Sequence, residues 1–96
     1  VRVVFAEDVE RDIDAITAYS YERWGEAQAV LYVCALREAC MTELAQYLSL
    51  ARPVVERPHL LQWRHRSHII YFKRLDARTL EVLRILHESM SPQRHL

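Results

Sequence analysis

The spacing of apolar residues changes once along this chain, and that change decides its fold class. As far as about Leu48 they recur every three or four positions, the period of a helix. From Leu60 onward they crowd into short runs rich in Ile, Val, Tyr, Phe, Trp and Leu, divided by polar breaks, which is the pattern of strands. A helical half followed by a strand half predicts an α+β fold rather than alternating units around a parallel sheet. At 96 residues the chain has room for one domain, 1–96, and none for a second.

Arg2 to Ala6 reads as a short strand. Glu7 and Asp8 then open a helix, acidic residues in a first turn suiting the positive end of its dipole. Val9, Ile13, Ile16, Ser20 and Trp24 form one face of it. Gly25, the only glycine, fits the left-handed residue that ends a helix, so a second helix beginning near Glu26 folds back as a hairpin. That helix runs to about Leu48 with two apolar stripes: Ala29, Val33, Leu36, Cys40, Leu44 and Tyr47, and Ala27, Leu31, Cys34, Met41, Ala45 and Leu48. One stripe can cover a sheet; the other meets either the first helix or a partner. After a linker holding Arg52-Pro53 and Arg57-Pro58, the segments Leu60 to His65, His68 to Leu75 and Thr79 to His87 form an antiparallel meander. Its last strand is apolar on both faces apart from Arg84, and belongs in the middle. The expected architecture is an N-terminal strand and an α-helical hairpin packed on an antiparallel three- to four-stranded β-sheet.

Hydrophobic residues at 51% with one glycine and three prolines require a compact core and exclude a disordered chain. No run approaches the roughly 20 apolar residues of a membrane span. The start VRVVFAEDVE lacks the features of a secretory signal, so a cytoplasmic location is the default. Cys34 and Cys40 lie about 9 Å apart along a helix and on different faces, which suits packing rather than a disulfide. Neither has a Cys or His at ligand spacing, so no metal and no cofactor is expected. Net charge is zero but unevenly placed: up to Leu50 carboxylates outnumber Arg2, Arg11, Arg23 and Arg37, while the basic residues from Arg52 onward outnumber their carboxylates and all five histidines join them. The basic half suits either an acidic partner, peptide or nucleic acid, or a solvated sheet face.

The stretches YSYERWGEAQAVLY, with Tyr19, Trp24, Gly25, Gln28, Ala29 and Tyr32, then SHIIYF at Ser67 to Phe72, then VLRILHESM with a trailing His95-Leu96, come in an order that resembles the RelE/ParE superfamily of bacterial toxins, and its ParE branch in particular. The resemblance covers nearly the whole chain. It implies the toxin of a type II toxin-antitoxin pair, neutralised by a ParD-like antitoxin whose ribbon-helix-helix half binds operator DNA, so that DNA is met only indirectly. It implies DNA gyrase as the target and a block to replication. An acidic amphipathic antitoxin segment is then expected on Ile16, Tyr19, Trp24, Leu31, Cys34, Met41 and Leu48, reaching Arg64 and Arg66. His87, Met90, Arg94, His95 and Leu96 are expected to face the target. Where many relatives carry a glycine and a basic pair in the first meander strand, this chain has His59 and Leu61-Gln62, its positive charge standing instead at Arg64 and Arg66.

The alternative within the superfamily is a ribosome-dependent messenger RNA endonuclease. Such chemistry needs a base for the 2'-hydroxyl, cations on the scissile phosphate and an acid for the leaving oxygen. Arg64, Tyr71, Lys73, Arg84 and His87 are residues of the right types on the strands. Each also has a structural reading: Tyr71 as a sheet aromatic with its hydroxyl at the rim, Lys73 and Arg64 as solvated residues, Arg84 paired with Glu81 or Glu88. His87 then fixes the exit of its strand while Met90 plugs a gap under the tail. No aromatic follows Phe72, which favours the non-enzymatic poison over the nuclease.

Overall fold

The computed structural model describes residues 1–96. Strand β1 (Arg2–Phe5) leads into helices α1 (Glu7–Trp24) and α2 (Glu26–Glu38). A π-turn over Ala39–Glu43, a short α3 (Leu44–Gln46) and a 3-10 turn (Leu48–Leu50) follow. Then come β2 (Arg52–Val54), β3 (Arg57–His65), β4 (His68–Asp76), β5 (Thr79–His87) and a last turn of helix, α4 (Pro92–His95). The five strands form one sheet in the order β1-β5-β4-β3-β2. The meander is as the sequence predicts; β5 lies inside the sheet between β1 and β4, while the middle place goes to β4.

Two features of the sheet go beyond that expectation. The N-terminal strand lies parallel to β5, Arg2 opposite Thr79 and Phe5 opposite Val82, so the sheet is mixed. The segment read as a linker contributes β2, antiparallel to β3 with Arg52 opposite Gln62 and Pro53 opposite Leu61. Pro53 is tolerated there because β2 is an edge strand and one missing N–H can face outward.

The helices cover one face of the sheet. Val9, Ile13 and Ile16 of α1, and Leu36, Ala39, Cys40 and Leu44 beyond them, pack on Ile70, Phe72, Leu80, Val82 and Ile85. The reverse face has a smaller core of Val54, Leu60, Tyr71 and Leu86, against which Met90 and Leu96 of the tail are packed. Strands β4 and β5 are therefore covered on both sides, which is why their sequence is apolar without clean alternation.

Gly25 joins the helices at φ 87 and ψ 173, its N–H donating to the Tyr21 carbonyl at 2.9 Å. A Cβ there would meet nothing within 4 Å, so the backbone angle, not space, demands glycine. The second helix departs from α geometry well before Leu48. Across the π-turn the Thr42 hydroxyl donates to the Glu38 carbonyl at 2.8 Å, and the widened turn brings the neighbours Ala39 and Cys40 both into the core. Burial pushes the Cys40 thiol up to about 12. Cys34, expected to pack, is exposed. No helix is long and apolar enough to cross a membrane.

Candidate partner-binding site

Strand β1 reaches only Thr79 to Val82 along its edge of β5, so the backbone beyond needs another partner. Asp12 supplies it from α1. Its Oδ2 accepts the Ile85 N–H at 2.9 Å and the Arg84 Nε at 2.9 Å, and its Oδ1 accepts Arg84 Nη2 at 2.8 Å. The third guanidinium nitrogen, Nη1, donates to the His95 carbonyl at 2.7 Å. One bidentate ion pair thus ties α1, β5 and the tail together, and the Asp12 hydrogen bonds hold the guanidinium above its ordinary range. Arg84 does not pair with Glu81 or Glu88, as its position in the chain suggested. Glu81 lies 3.9 Å from Lys73, and Glu88 pairs with Arg64 at 2.7 Å.

Beside this clasp the register sets three histidines side by side. His65 ends β3, His68 begins β4 and His87 ends β5, with His65 opposite His68 and His68 opposite His87. Tyr32 of α2 closes over them, its hydroxyl hydrogen-bonded to His68 Nδ1 and its ring 5.9 Å from that of His65. His68 is only 8% exposed, and burial, helped by the neighbouring His87 and His65, lowers its pKa to about 4. Burial likewise lowers His65, whose Nε2 is buried without a partner. His87 is turned by its own tail: the Ser89 N–H donates to Nδ1 at 3.1 Å, and the Ser89 hydroxyl lies 2.7 Å from the same atom. The expectation that His87 fixes the strand's exit by hydrogen bonding describes this arrangement.

Between α1 and the end of β5 lies a cavity of about 390 Å³, lined by Asp12, Ala15, Ile16, Tyr19, His68, Ile85, His87, Ser89 and Met90. It unites two residues expected to meet an antitoxin, Ile16 and Tyr19, with two expected to face a target, His87 and Met90. Tyr19 continues outward onto an open apolar surface. Its ring meets Trp24 edge-to-face at 6.2 Å, with the Arg23 guanidinium 5.8 Å from its centre. Tyr19 is 53% exposed, Trp24 56% and Leu31 63%, and Cys34 and Met41 are exposed beyond them. The second stripe of the hairpin is therefore not consumed by the first helix; only Ala45 and Leu48 at its far end are half-buried.

The remaining candidates are dispersed. Arg64 and Arg66 stand at the β3–β4 hairpin, Arg64 bonded to Glu88 and to the Arg66 carbonyl at 3.1 Å, and Arg66 at a positive φ of 54. Tyr71 does not place its side chain at the rim; it is buried in the reverse-face core. Of the five nuclease candidates, Tyr71 is enclosed, Arg84 is held by Asp12, and Arg64 and Lys73 lie beside carboxylates. The tail is docked rather than free: Leu96 packs on the reverse-face core and the His95 carbonyl is clasped, leaving Arg94 exposed.

Asp12, Tyr32, His65 and His68 belong to this region and were not among the expected site residues. Asp12 stood apart in one respect, an acid one position before Ile13 and three after Val9, hence near the apolar face of its helix. The histidine row follows from the two-residue break Arg66-Ser67, which sets His65 opposite His68 once the hairpin is granted.

Comparisons with known proteins give a consistent result. A family model described as the ParE toxin of a type II toxin-antitoxin system, parDE, matches residues 3–92. Toxin ParE1 of Caulobacter vibrioides is 33% identical over 86 residues, a span of 88% of this chain and 86% of that protein. Among solved structures, a chain of the chromosomal ParDE toxin-antitoxin system from P. aeruginosa superposes with a TM-score of 0.73 at 16% identity, over 91% of this chain and 95% of the other. One from the toxin-antitoxin complex RelBE2 of Mycobacterium tuberculosis gives 0.67 at 18% identity, over 90% and 88%. Both structural likenesses are likenesses of fold.

Proposed function

This chain belongs to the ParE toxins of type II toxin-antitoxin systems, and from that membership we propose that it acts in the cytoplasm as a non-catalytic poison of DNA gyrase, neutralised by a ParD-like antitoxin. The observation that carries the antitoxin half is the exposed apolar band over Tyr19, Trp24, Leu31 and Met41, which opens into the cavity beside Ile16. An exposed apolar band of this kind suits an amphipathic segment that orders on binding. On this reading an acidic segment reaches Arg64 and Arg66 at the β3–β4 hairpin, where Arg64 already holds the Glu88 carboxylate.

The gyrase half rests on membership of the family and on the state of the nuclease candidates. A phosphodiester-cleaving site needs cations free to meet a phosphate and a base free to take a proton. Here Arg84 is fully engaged and Tyr71 is enclosed. On this reading the target meets His87, Met90 and the outer side of the docked tail, where Arg94 is the exposed member and His95 and Leu96 hold it in place.

Two measurements test the reading. Purified toxin is expected to inhibit gyrase supercoiling or to trap cleaved DNA, and to leave messenger RNA intact in a translating extract. Folded toxin that leaves gyrase untouched while transcripts are cut would reverse the assignment. The product of a neighbouring reading frame with a ribbon-helix-helix domain and an acidic amphipathic tail is expected to co-purify with the toxin and to restore supercoiling.

A further inference from the structure

The cavity between α1 and the end of β5 has walls and donors that specify what enters it. Ile16, Ile85 and Met90, with the ring of Tyr19, make the walls apolar. Its volume of about 390 Å³ lies within the range of small-ligand pockets and admits a ring or a branched apolar side chain. Two of its polar groups, the imidazoles of His68 and His87, are donors. Because a backbone N–H donates to His87 Nδ1, the neutral imidazole carries its proton on Nε2, leaving one N–H to give. A phenol is the stronger donor and an imidazole nitrogen the stronger acceptor, so Tyr32 donates to His68 Nδ1 and His68 likewise carries a proton on Nε2. That nitrogen has no partner in the chain, although the ring is more than nine-tenths buried. The cavity's one carboxylate, Asp12, is neutralised by Arg84 and turned toward β5, its oxygens accepting from Arg84 Nε and Nη2 and from the Ile85 N–H.

We propose that this cavity is the anchor site for an apolar side chain that lies next to a carboxylate on the antitoxin, the side chain filling the space between Ile16 and Ile85 and the carboxylate accepting from His68 and His87. The occupant rests on the antitoxin reading above; the chemistry of the cavity does not. Two N–H donors, with Asp12 paired to Arg84 and the nearby Glu88 paired to Arg64, favour an anion over a cation of the same shape. The surrounding surface supports the same occupant, because the open apolar band of the hairpin runs without a break from Trp24 through Tyr19 to the cavity mouth. One consequence concerns how the toxin is silenced. His87 and Met90 belong to the surface assigned to the target, so a segment seated in the cavity covers target-facing residues, and antitoxin and gyrase exclude one another by competition.

The test uses the full chain, isotopically labelled, with phenylacetate and benzylamine as probes of one ring and opposite charge. Phenylacetate is expected to move the imidazole signals of His68 and His87 and the methyl signals of Ile16 and Ile85 saturably at millimolar concentration. Benzylamine is expected to bind at least about tenfold more weakly. Ala15→Trp, at an exposed helical position on the cavity rim, is expected to abolish the shifts with the fold intact by circular dichroism. His87→Phe keeps a ring and removes the donor, and is expected to weaken phenylacetate about fivefold or more. Absence of saturable shifts, equal binding of the two probes, or undiminished binding to Ala15→Trp overturns the cavity assignment while leaving antitoxin binding elsewhere on the hairpin intact. In the second arm the cognate antitoxin is expected to bind Ala15→Trp at least about tenfold less tightly than the unmodified chain. Equal binding removes the antitoxin as occupant, and failure to bind the unmodified chain overturns the antitoxin reading itself.

Discussion

Asp12 joins α1 to β5 through a single carboxylate, Arg84 carries the clasp on to the tail, and the partners of Asp12 lie more than seventy residues away in the chain. Replacing it by alanine strands the Arg84 charge in a largely buried place and leaves the Ile85 N–H without an acceptor. Asp12→Ala is expected to lower stability by about 3 kcal/mol in urea denaturation, and Asp12→Asn, which keeps an acceptor, by less. His68 makes a second prediction, in pH. The folded protein takes up that proton only near pH 4, the unfolded chain near the ordinary 6.5, so between those values only the unfolded form gains from protonation. Stability is therefore full above about 6.5 and falls as pH is lowered toward 4, by about 3 kcal/mol, with His65 adding in the same direction. Denaturation at pH 7 and pH 5 is expected to show this slope, and His68→Gln to flatten it. Neither role was legible as a local pattern. Arg84 has carboxylates at 81 and 88, and only the approach of α1 to β5 makes residue 12 its partner.

At the scale of the element, the hairpin turn and the open stripe make separate predictions. Gly25→Ala meets no side chain, yet it forces a Cβ into a backbone region that is essentially glycine's own; a cost of about 1–3 kcal/mol is expected in thermal melts. Leu31→Glu, by contrast, changes a largely exposed position. Stability is expected to stay within about 0.5 kcal/mol, while co-purification with the antitoxin is lost. The two helices and the three long strands were legible because each repeats its period several times. Strand β2 was not, because three residues with a proline in the middle carry no period and the strand exists only by pairing with β3. The end of α2 was obscured for a different reason: the π-turn inserts a phase shift that keeps apolar residues pointing inward, so the pattern reads as one uninterrupted helix.

For the whole molecule, the docked tail alters how its contribution to toxicity can be measured. Removing residues 91 to 96 takes Leu96 off the reverse-face core and the His95 carbonyl from Arg84, so lost activity after truncation reports folding as well as recognition. Arg94→Glu separates the two. The residue is exposed and is expected to leave stability unchanged while weakening gyrase inhibition, read in a supercoiling assay beside a thermal melt. The sheet order carries a further consequence, for synthesis. Since β1 rests against a strand that begins only at residue 79, and since that strand is also the seat of both cores, a ribosome that has delivered four-fifths of these residues has delivered pieces without a centre. The domain is thus expected to stay unfolded until its last strand is made, which pulse-labelled chains of increasing length would show as protease resistance gained only once residue 87 has left the ribosome.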